Sequence, residues 1–219
     1  MSQPLRIDFV SDIACPWCVI GLLSLEQAIE RLDARSHIQL HFQPFELNPQ
    51  MGAAGEDADE HLLRKYGMPR EQLERNRAAI RERGAELGFT FGKRTRVCNT
   101  FDAHRLLHWA GMLGGDAQRS LKHALLTAYH AEDQDVSARE VLLAVVAACE
   151  LDVAVAARVL ESGEFTGAVR EREQHYLQRG IQGVPAVILA EQGLISGGQP
   201  VEVFERALRQ FAAEPAARA

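Results

Sequence analysis

"SDIACPWCVIG", residues 11–21, sets Cys15 and Cys18 one helical turn apart, with Pro16 and Trp17 between them. Three readings fit such a pair: a redox centre, half of a metal site, or two buried thiols that happen to be neighbours. The flanking pattern bears on the choice. Upstream, Leu5, Ile7 and Phe9 alternate with Arg6 and Asp8, the period of a half-buried strand. Downstream, Val19, Leu22, Leu25, Ile29 and Leu32 recur at helical spacing. The cysteines therefore stand at a strand-to-helix junction. Pro16 falls at the first helical position, where its missing N–H costs nothing and its fixed φ suits the start.

That position makes the two thiols unequal. A thiolate, not a thiol, attacks a disulfide, and a free cysteine with a pKa of about 8.5 is mostly protonated near neutral pH. At Cys15 the unpaired N–H groups and the positive end of the helix dipole favour the anion. Cys15 is expected to be the acidic, exposed nucleophile. Cys18, one turn further in, is expected to be sheltered, less acidic, and close enough to attack a mixed disulfide at Cys15. Trp17 adds an apolar surface that either meets a substrate or covers the helix end.

Outward from this junction, Ile38, Leu40 and Phe42 alternate again before "PFELNP" (44–49) stops the strand with two prolines. The unit reads β-α-β, with parallel strands. From Met51 to Gly163 the patterns are helical, around Leu73–Leu87, Phe101–Met112, Leu121–Tyr129 and Val141–Cys149, without a strand signal. An all-helical block is expected there. Strand character returns at "GVPAVIL" (183–189) and "LISGG" (194–198), an antiparallel hairpin with its turn expected at Gln192–Gly193. Pro200 then opens a helix with the apolar stripe Val201, Phe204, Leu208 and Phe211. The tail "AAEPAARA" (212–219) has nothing to bury and is expected to fray. The fold class is α/β: a sheet assembled from both ends of the chain, β-α-β and β-β-α, with a helical insertion packed on it.

Val184-Pro185 stands directly before a strand, where proline denies a ladder hydrogen bond unless it sits at the first residue or a bulge. A cis bond resolves this and frees the Val184 backbone to pair with an extended substrate segment. Sequence leaves the isomer open.

Composition narrows the function. The 219 residues are 47% hydrophobic and 25% charged, with net charge -6, and the arginines interleave with acids. Nucleic-acid binding needs a one-signed patch that this pattern lacks. Four cysteines, only one pair of them at motif spacing, are too few for a disulfide scaffold. The longest apolar run, Val141–Cys149, falls well short of the roughly 18 residues of a membrane span. "MSQPLRIDFV" lacks the pattern of a secretory signal, so the expected compartment is the cytoplasm, where a CxxC is catalytic or metal-binding more often than structural. A structural zinc site wants four ligands. Cys98 and Cys149 stand alone, and His104 and His108 lack the Glu of H-E-x-x-H, so no metal ligands are assigned. Cys98 reads as a small buried side chain and Cys149 as core. Asp12 and Glu46 flank the junction as possible proton acceptors for Cys18, although solvated or capping carboxylates are commoner. The charge-rich 64–84 stretch reads as a solvated helix face.

The ordered landmarks "SDIACPWCVIG", "PFELNP", "NTFDAHRL" (99–106), "GVPAVIL" and "SGGQP" (196–200) resemble the DsbA family of thioredoxin-fold oxidoreductases, and its FrnE-like branch in particular, which includes polyketide-biosynthesis dithiol-disulfide isomerases. Gly198 departs from that branch, where many relatives read "GAQ". The resemblance implies a thioredoxin-like domain from residues 1–50 and 164–219 with an inserted helical domain at 51–163. It implies a thiol-disulfide oxidoreductase in which Cys15 is the nucleophile, Cys18 resolves, and Pro185 is the facing cis-proline. Pro16, Trp17, Val184, Asn99 and His104 would contact substrate, the last two where the insertion meets the site. It further implies a thiol or disulfide substrate, protein or small molecule, no tightly bound cofactor, glutathione as a possible co-substrate, no nucleic-acid or membrane partner, and a monomer or homodimer. Kappa-class glutathione transferases and 2-hydroxychromene-2-carboxylate isomerases belong to the same superfamily but carry serine at the nucleophile position and bind glutathione. Two cysteines favour redox exchange here. A glutathione-dependent isomerase or transferase is one alternative, and a non-enzymatic metal-binding or interaction module using the CxxC is the other.

Overall fold

The computed structural model describes residues 4–34, 37–67 and 69–213, with Ala212 and Ala213 as backbone alone. The tail from Glu214 onward, expected to fray, lies outside the described residues. The elements in order are β1 (Leu5–Ser11), α1 (Pro16–Arg31), β2 (Ile38–Pro44), β3 (Glu56–Asp57), α2 (Ala58–Tyr66), α3 (Arg70–Glu86), β4 (Arg96–Val97), α4 (Phe101–Leu113), α5 (Ala117–His130), α6 (Arg139–Ala148), α7 (Val153–Ser162), α8 (Thr166–Gln178), β5 (Ala186–Leu189), β6 (Gly193–Ser196) and α9 (Val201–Ala213).

The main sheet runs β2-β1-β5-β6, so both ends of the chain build it. β1 and β2 pair in parallel from Leu5↔Ile38 to Ser11↔Pro44, and β5 lies antiparallel to β1. With neighbours on both sides, β1 buries both faces. Ile7 and Phe9 enter a core shared with α1, α4, α5, α6, α7 and α9, while Val10 faces the opposite way, into a cluster with Tyr176 of α8. Asp8, also on that second face, is buried and satisfied by Arg6 Nη2 at 2.8 Å and Gln43 Nε2 at 2.6 Å. The helical insertion therefore shares the main core with the sheet. It also closes the sheet edge: Gln118 of α5 accepts from Phe42 N and donates to Phe42 O, both at 3.1 Å, meeting the exposed backbone of β2.

Two expectations need correction. The insertion is not all-helical: β3 and β4 form an antiparallel pair, Glu56↔Val97 and Asp57↔Arg96. Strands of two residues are too short to show a period of two. The β5–β6 turn falls earlier than Gln192–Gly193. Ala190 and Glu191 carry φ of +47° and +61°, and Gln192 N donates to Leu189 O at 3.0 Å. Gly193 instead opens β6, where a Cβ would stand 2.6 Å from Phe211 Cζ. Its missing side chain makes room for the last helix.

Candidate active site

Cys15 is the N-cap of α1, with φ -93° and ψ 113°, and Pro16 follows at the first helical position. Its thiol donates to Val184 O across 3.5 Å, 169 residues further along the chain. The Val184-Pro185 bond is cis. The Pro185 ring lies against Gly21, one turn into α1, where a methyl group would come within 2.8 Å of Pro185 Cγ. Gly198 fits equally closely, because a Cβ there would stand 3.0 Å from Trp17 O. The site is thus the start of one helix clasped by the segment leading into β5 and the one leaving β6.

The two thiols differ in the direction the sequence suggests, but Cys15 is not exposed. It is 5% accessible and Cys18 0%, because the Val184-Pro185 segment closes over the helix start. The Cys15 pKa lies below the ordinary thiol value. A hydrogen bond from Cys18 does most to lower it, burial opposes, the backbone N–H groups of Cys18 and Trp17 assist, and the Asp12 charge works against them. Cys18 is pushed well above the ordinary value by burial, and then by its bond to Cys15. Trp17 is the exposed member of the motif, at 37%.

Asp12 is neither solvated nor a helix cap. Buried at 1%, it accepts from Ala14 N at 3.1 Å, Leu47 N at 2.7 Å and Thr100 Oγ1 at 2.8 Å. Burial raises its pKa, yet His104, then Leu47 N and Thr100, hold it below the ordinary carboxylate value. One carboxylate thereby ties together the site loop, the "PFELNP" loop and the start of α4. Glu46 is engaged otherwise, ion-paired with Arg170, and burial raises its pKa.

Of the residues assigned by resemblance, His104 reaches the site through Asp12: its Nε2 stands 3.5 Å from Asp12 Oδ1, at 2% exposure. Asn99 spends its side chain on backbone, donating to Met51 O at 2.8 Å and accepting from Phe101 N at 2.9 Å. The N-cap of α4 is Thr100. His108 packs against the Phe165 ring, centroids 5.1 Å apart. Cys98 is buried, and its pKa is pushed up to about 12 by burial and then by Asp135. Cys149 is half-buried and not fully in the core. Among the described residues, no group of three or more His, Cys, Asp and Glu side chains is placed to hold a metal ion.

Sequence reasoning missed three basic residues that the insertion brings to the site. Arg94 Nη1 donates to Ala14 O at 3.0 Å, and the Ile13 carbonyl accepts from His130 Nε2 at 2.8 Å. Burial pushes the His130 pKa down to about 3, so the ring is a neutral donor. Lys122 is wholly buried, and its Nζ has no hydrogen-bond partner among the described residues. A signal for it was present: Lys122, Leu125, Leu126 and Tyr129 occupy one helical stripe, so the lysine interrupts an apolar face.

A sequence model of the DSBA-like thioredoxin domain matches residues 6–209. A probable DsbA oxidoreductase from Streptomyces coelicolor, SCO1869, superimposes with a TM-score of 0.91 at 30% identity, covering 98% of this chain and 93% of that one. YwbO from Bacillus subtilis (strain 168), an uncharacterized protein, is 22% identical over 93% of this chain and 95% of its own length. The cytosolic disulfide reductase DsbM from Pseudomonas aeruginosa, in a structure with GSH, has the same fold, with a TM-score of 0.65 at 16% identity over 95% of this chain and all of that one. No described helix is long and apolar enough to cross a membrane.

Proposed function

The chain belongs to the DSBA-like thioredoxin domain family, and from that premise we propose that it is a thiol-disulfide oxidoreductase working through Cys15 and Cys18. The observation that carries this reading is the inequality of the pair: an acidified thiol at the helix start beside a wholly buried, proton-retaining one. In the reducing direction the Cys15 thiolate attacks one sulfur of a substrate disulfide, forms a mixed disulfide and releases the other sulfur as a thiolate. Cys18 then loses its proton and attacks Cys15 Sγ. The Cys15–Cys18 bond forms, the second substrate sulfur departs, and two electrons have passed from the pair to the substrate. The same steps reversed oxidise a dithiol.

Pro185 and Val184 shape the wall facing the nucleophile, Pro16 starts the helix that acidifies it, and the exposed Trp17 indole offers the substrate an apolar contact. Asn99 and His104 act indirectly, by holding the loop and the Asp12 carboxylate. Glutathione is the proposed small-thiol partner that resets the pair, without a tightly bound cofactor.

Replacing Cys18 by Ser is expected to trap a mixed disulfide through Cys15, with a disulfide substrate or with glutathione, visible by mass spectrometry and released by reductant. Adducts trapped in Cys15→Ser and absent from Cys18→Ser would reverse the roles. Equilibration with glutathione at defined ratios then sets the direction, since about 30 mV corresponds to a tenfold change in the dithiol-disulfide equilibrium.

A further inference from the structure

Lys122 projects from α5 into the core, wholly buried, and its Nζ has no hydrogen-bond partner among the described residues. An ammonium in such a place costs several kcal/mol unless opposite charge stands near it. The charged and titratable groups facing it are Cys18 and Cys15 at the start of α1, Asp12 on the loop before α1, and His130 on its own helix. His130 is neutral, and the Asp12 carboxylate, which already has three donors, supplies one opposite charge. The thiol pair supplies the others, Cys18 first.

We infer that Lys122 is the positioning residue of the resolving thiol: its ammonium, supplied by the helical insertion, stabilises the Cys18 thiolate from inside the core. The inference rests on the dithiol reading above. Helix-start N–H groups serve Cys15, the residue they surround, whereas Cys18 lies one turn inside. In the mixed disulfide Cys15 carries no charge, so the anion that must form is on Cys18, a wholly buried side chain. Asp12 opposes it and Lys122 favours it. The dependence is mutual: burial brings Lys122 down to about 8, and the Cys18 thiolate, once formed, is the largest influence pulling it back up.

A cavity of about 240 Å³ runs along β2, and Lys122 and His104 line it together with His41, His108, Arg6 and Arg172. Among the described residues, no Asp or Glu lines it. Cys15 and Cys18 are not among its lining residues, so Lys122 is the group that meets both this cavity and the thiol pair. The step balances: the proton leaves Cys18 for water, the Cys15–Cys18 bond forms, and the Cys15–substrate bond breaks with the electron pair leaving on the substrate sulfur.

The test uses the full chain with Cys15→Ser, so that Cys18 titrates alone, followed by NMR of cysteine labelled at ¹³Cβ. Adding Lys122→Met is expected to move the Cys18 midpoint up by about one pH unit or more, a tenfold loss of thiolate at a given pH. Lys122→Arg, which keeps the charge, is expected to recover at least part of that shift. An unchanged midpoint in Lys122→Met overturns the inference. Should that variant fail to fold, the unmutated protein decides: the Lys122 ammonium, followed by ¹⁵Nζ NMR, is expected to titrate at higher pH in the dithiol form than in the disulfide form. Equal values in the two forms overturn the inference. Neither readout needs turnover. A Cys18 shift in a protein that never traps a mixed disulfide would uphold Lys122 and sink the oxidoreductase reading, and trapping without a shift would do the reverse.

Discussion

Cys15 Sγ stands 3.5 Å from Val184 O, a contact between residues 169 positions apart that joins the start of the first helix to the segment before β5. It depends on how closely that segment approaches the helix, and Gly21 sets the approach. In Gly21→Ala the new methyl would lie 2.8 Å from Pro185 Cγ, part of a ring that cannot swing aside. Overpacking costs about 1–3 kcal/mol, against about 1 kcal/mol gained in helix propensity. Net destabilisation of about 1 kcal/mol is expected in urea unfolding, with slower disulfide exchange as Val184 is displaced. A variant as stable and as fast as the unmutated protein would show that the approach is not tight.

The four free cysteines should react in a set order. Cys15 is acidified, Cys18 and Cys149 are shifted upward by burial, and Cys98 is pushed to about 12. Alkylation by iodoacetamide at pH 7, read by peptide mass spectrometry, is expected to label Cys15 at least about tenfold faster than any other cysteine, because rate follows the thiolate fraction. Its 5% accessibility slows the reaction; Cys18 is more buried still, and against the more accessible Cys149 the order rests on the opposite pKa directions. Labelling of Cys18 first would contradict the assigned asymmetry.

Asp12 has two separable effects. Asp12→Ala leaves Ala14 N, Leu47 N and Thr100 Oγ1 without their acceptor, a loss of about 3–5 kcal/mol for a buried charged network. The Asp12 pKa is depressed below 3.8, so its stabilisation is present above that value and is lost as pH falls through the folded pKa. Asp12→Asn is expected to remove this acid dependence while keeping part of the hydrogen bonding. It is also expected to lower the Cys15 titration midpoint, because the carboxylate charge opposes the thiolate. A midpoint that rises in Asp12→Asn would mean that the lost hydrogen bonds outweigh the lost charge.

The CxxC junction was legible because it is local. Period-two alternation up to Phe9, helical spacing from Val19 and Pro16 between them place Cys15 at a helix start without any tertiary knowledge. The hairpin and last helix were legible for the same reason, with the turn misplaced because Ala190 and Glu191 adopt positive φ without glycine. What converges from a distance was not legible. Arg94 and His130 belong to a segment whose docking on the sheet leaves no periodic trace, Lys122 shows only as a break in an apolar stripe whose destination the sequence does not give, and β3 and β4 are too short to have a period. Asp12 looked like an ordinary polar loop residue, since its partners Leu47 and Thr100 lie 35 and 88 positions away.

Lys122 should make the protein less stable at neutral pH than it need be. Its folded pKa is about 8 against an ordinary 10.5, so the unfolded chain binds more protons between those values and stability rises with pH across that window. The full penalty applies below pH 8, and the interval of 2.5 units corresponds to about 3 kcal/mol. Lys122→Met has no such titration. In the disulfide form, where the Cys15 and Cys18 thiols do not titrate, its advantage over the unmutated protein is expected to shrink by roughly that amount between pH 7 and 10.5, measured by urea unfolding. Losing the thiolates also removes a charge that holds the ammonium, so the window opens at lower pH in that form than in the dithiol. Parallel stability curves for the two proteins from pH 7 to 10.5 would mean that Lys122 keeps its ordinary pKa, and the core would then hold a charge at no cost that these groups explain.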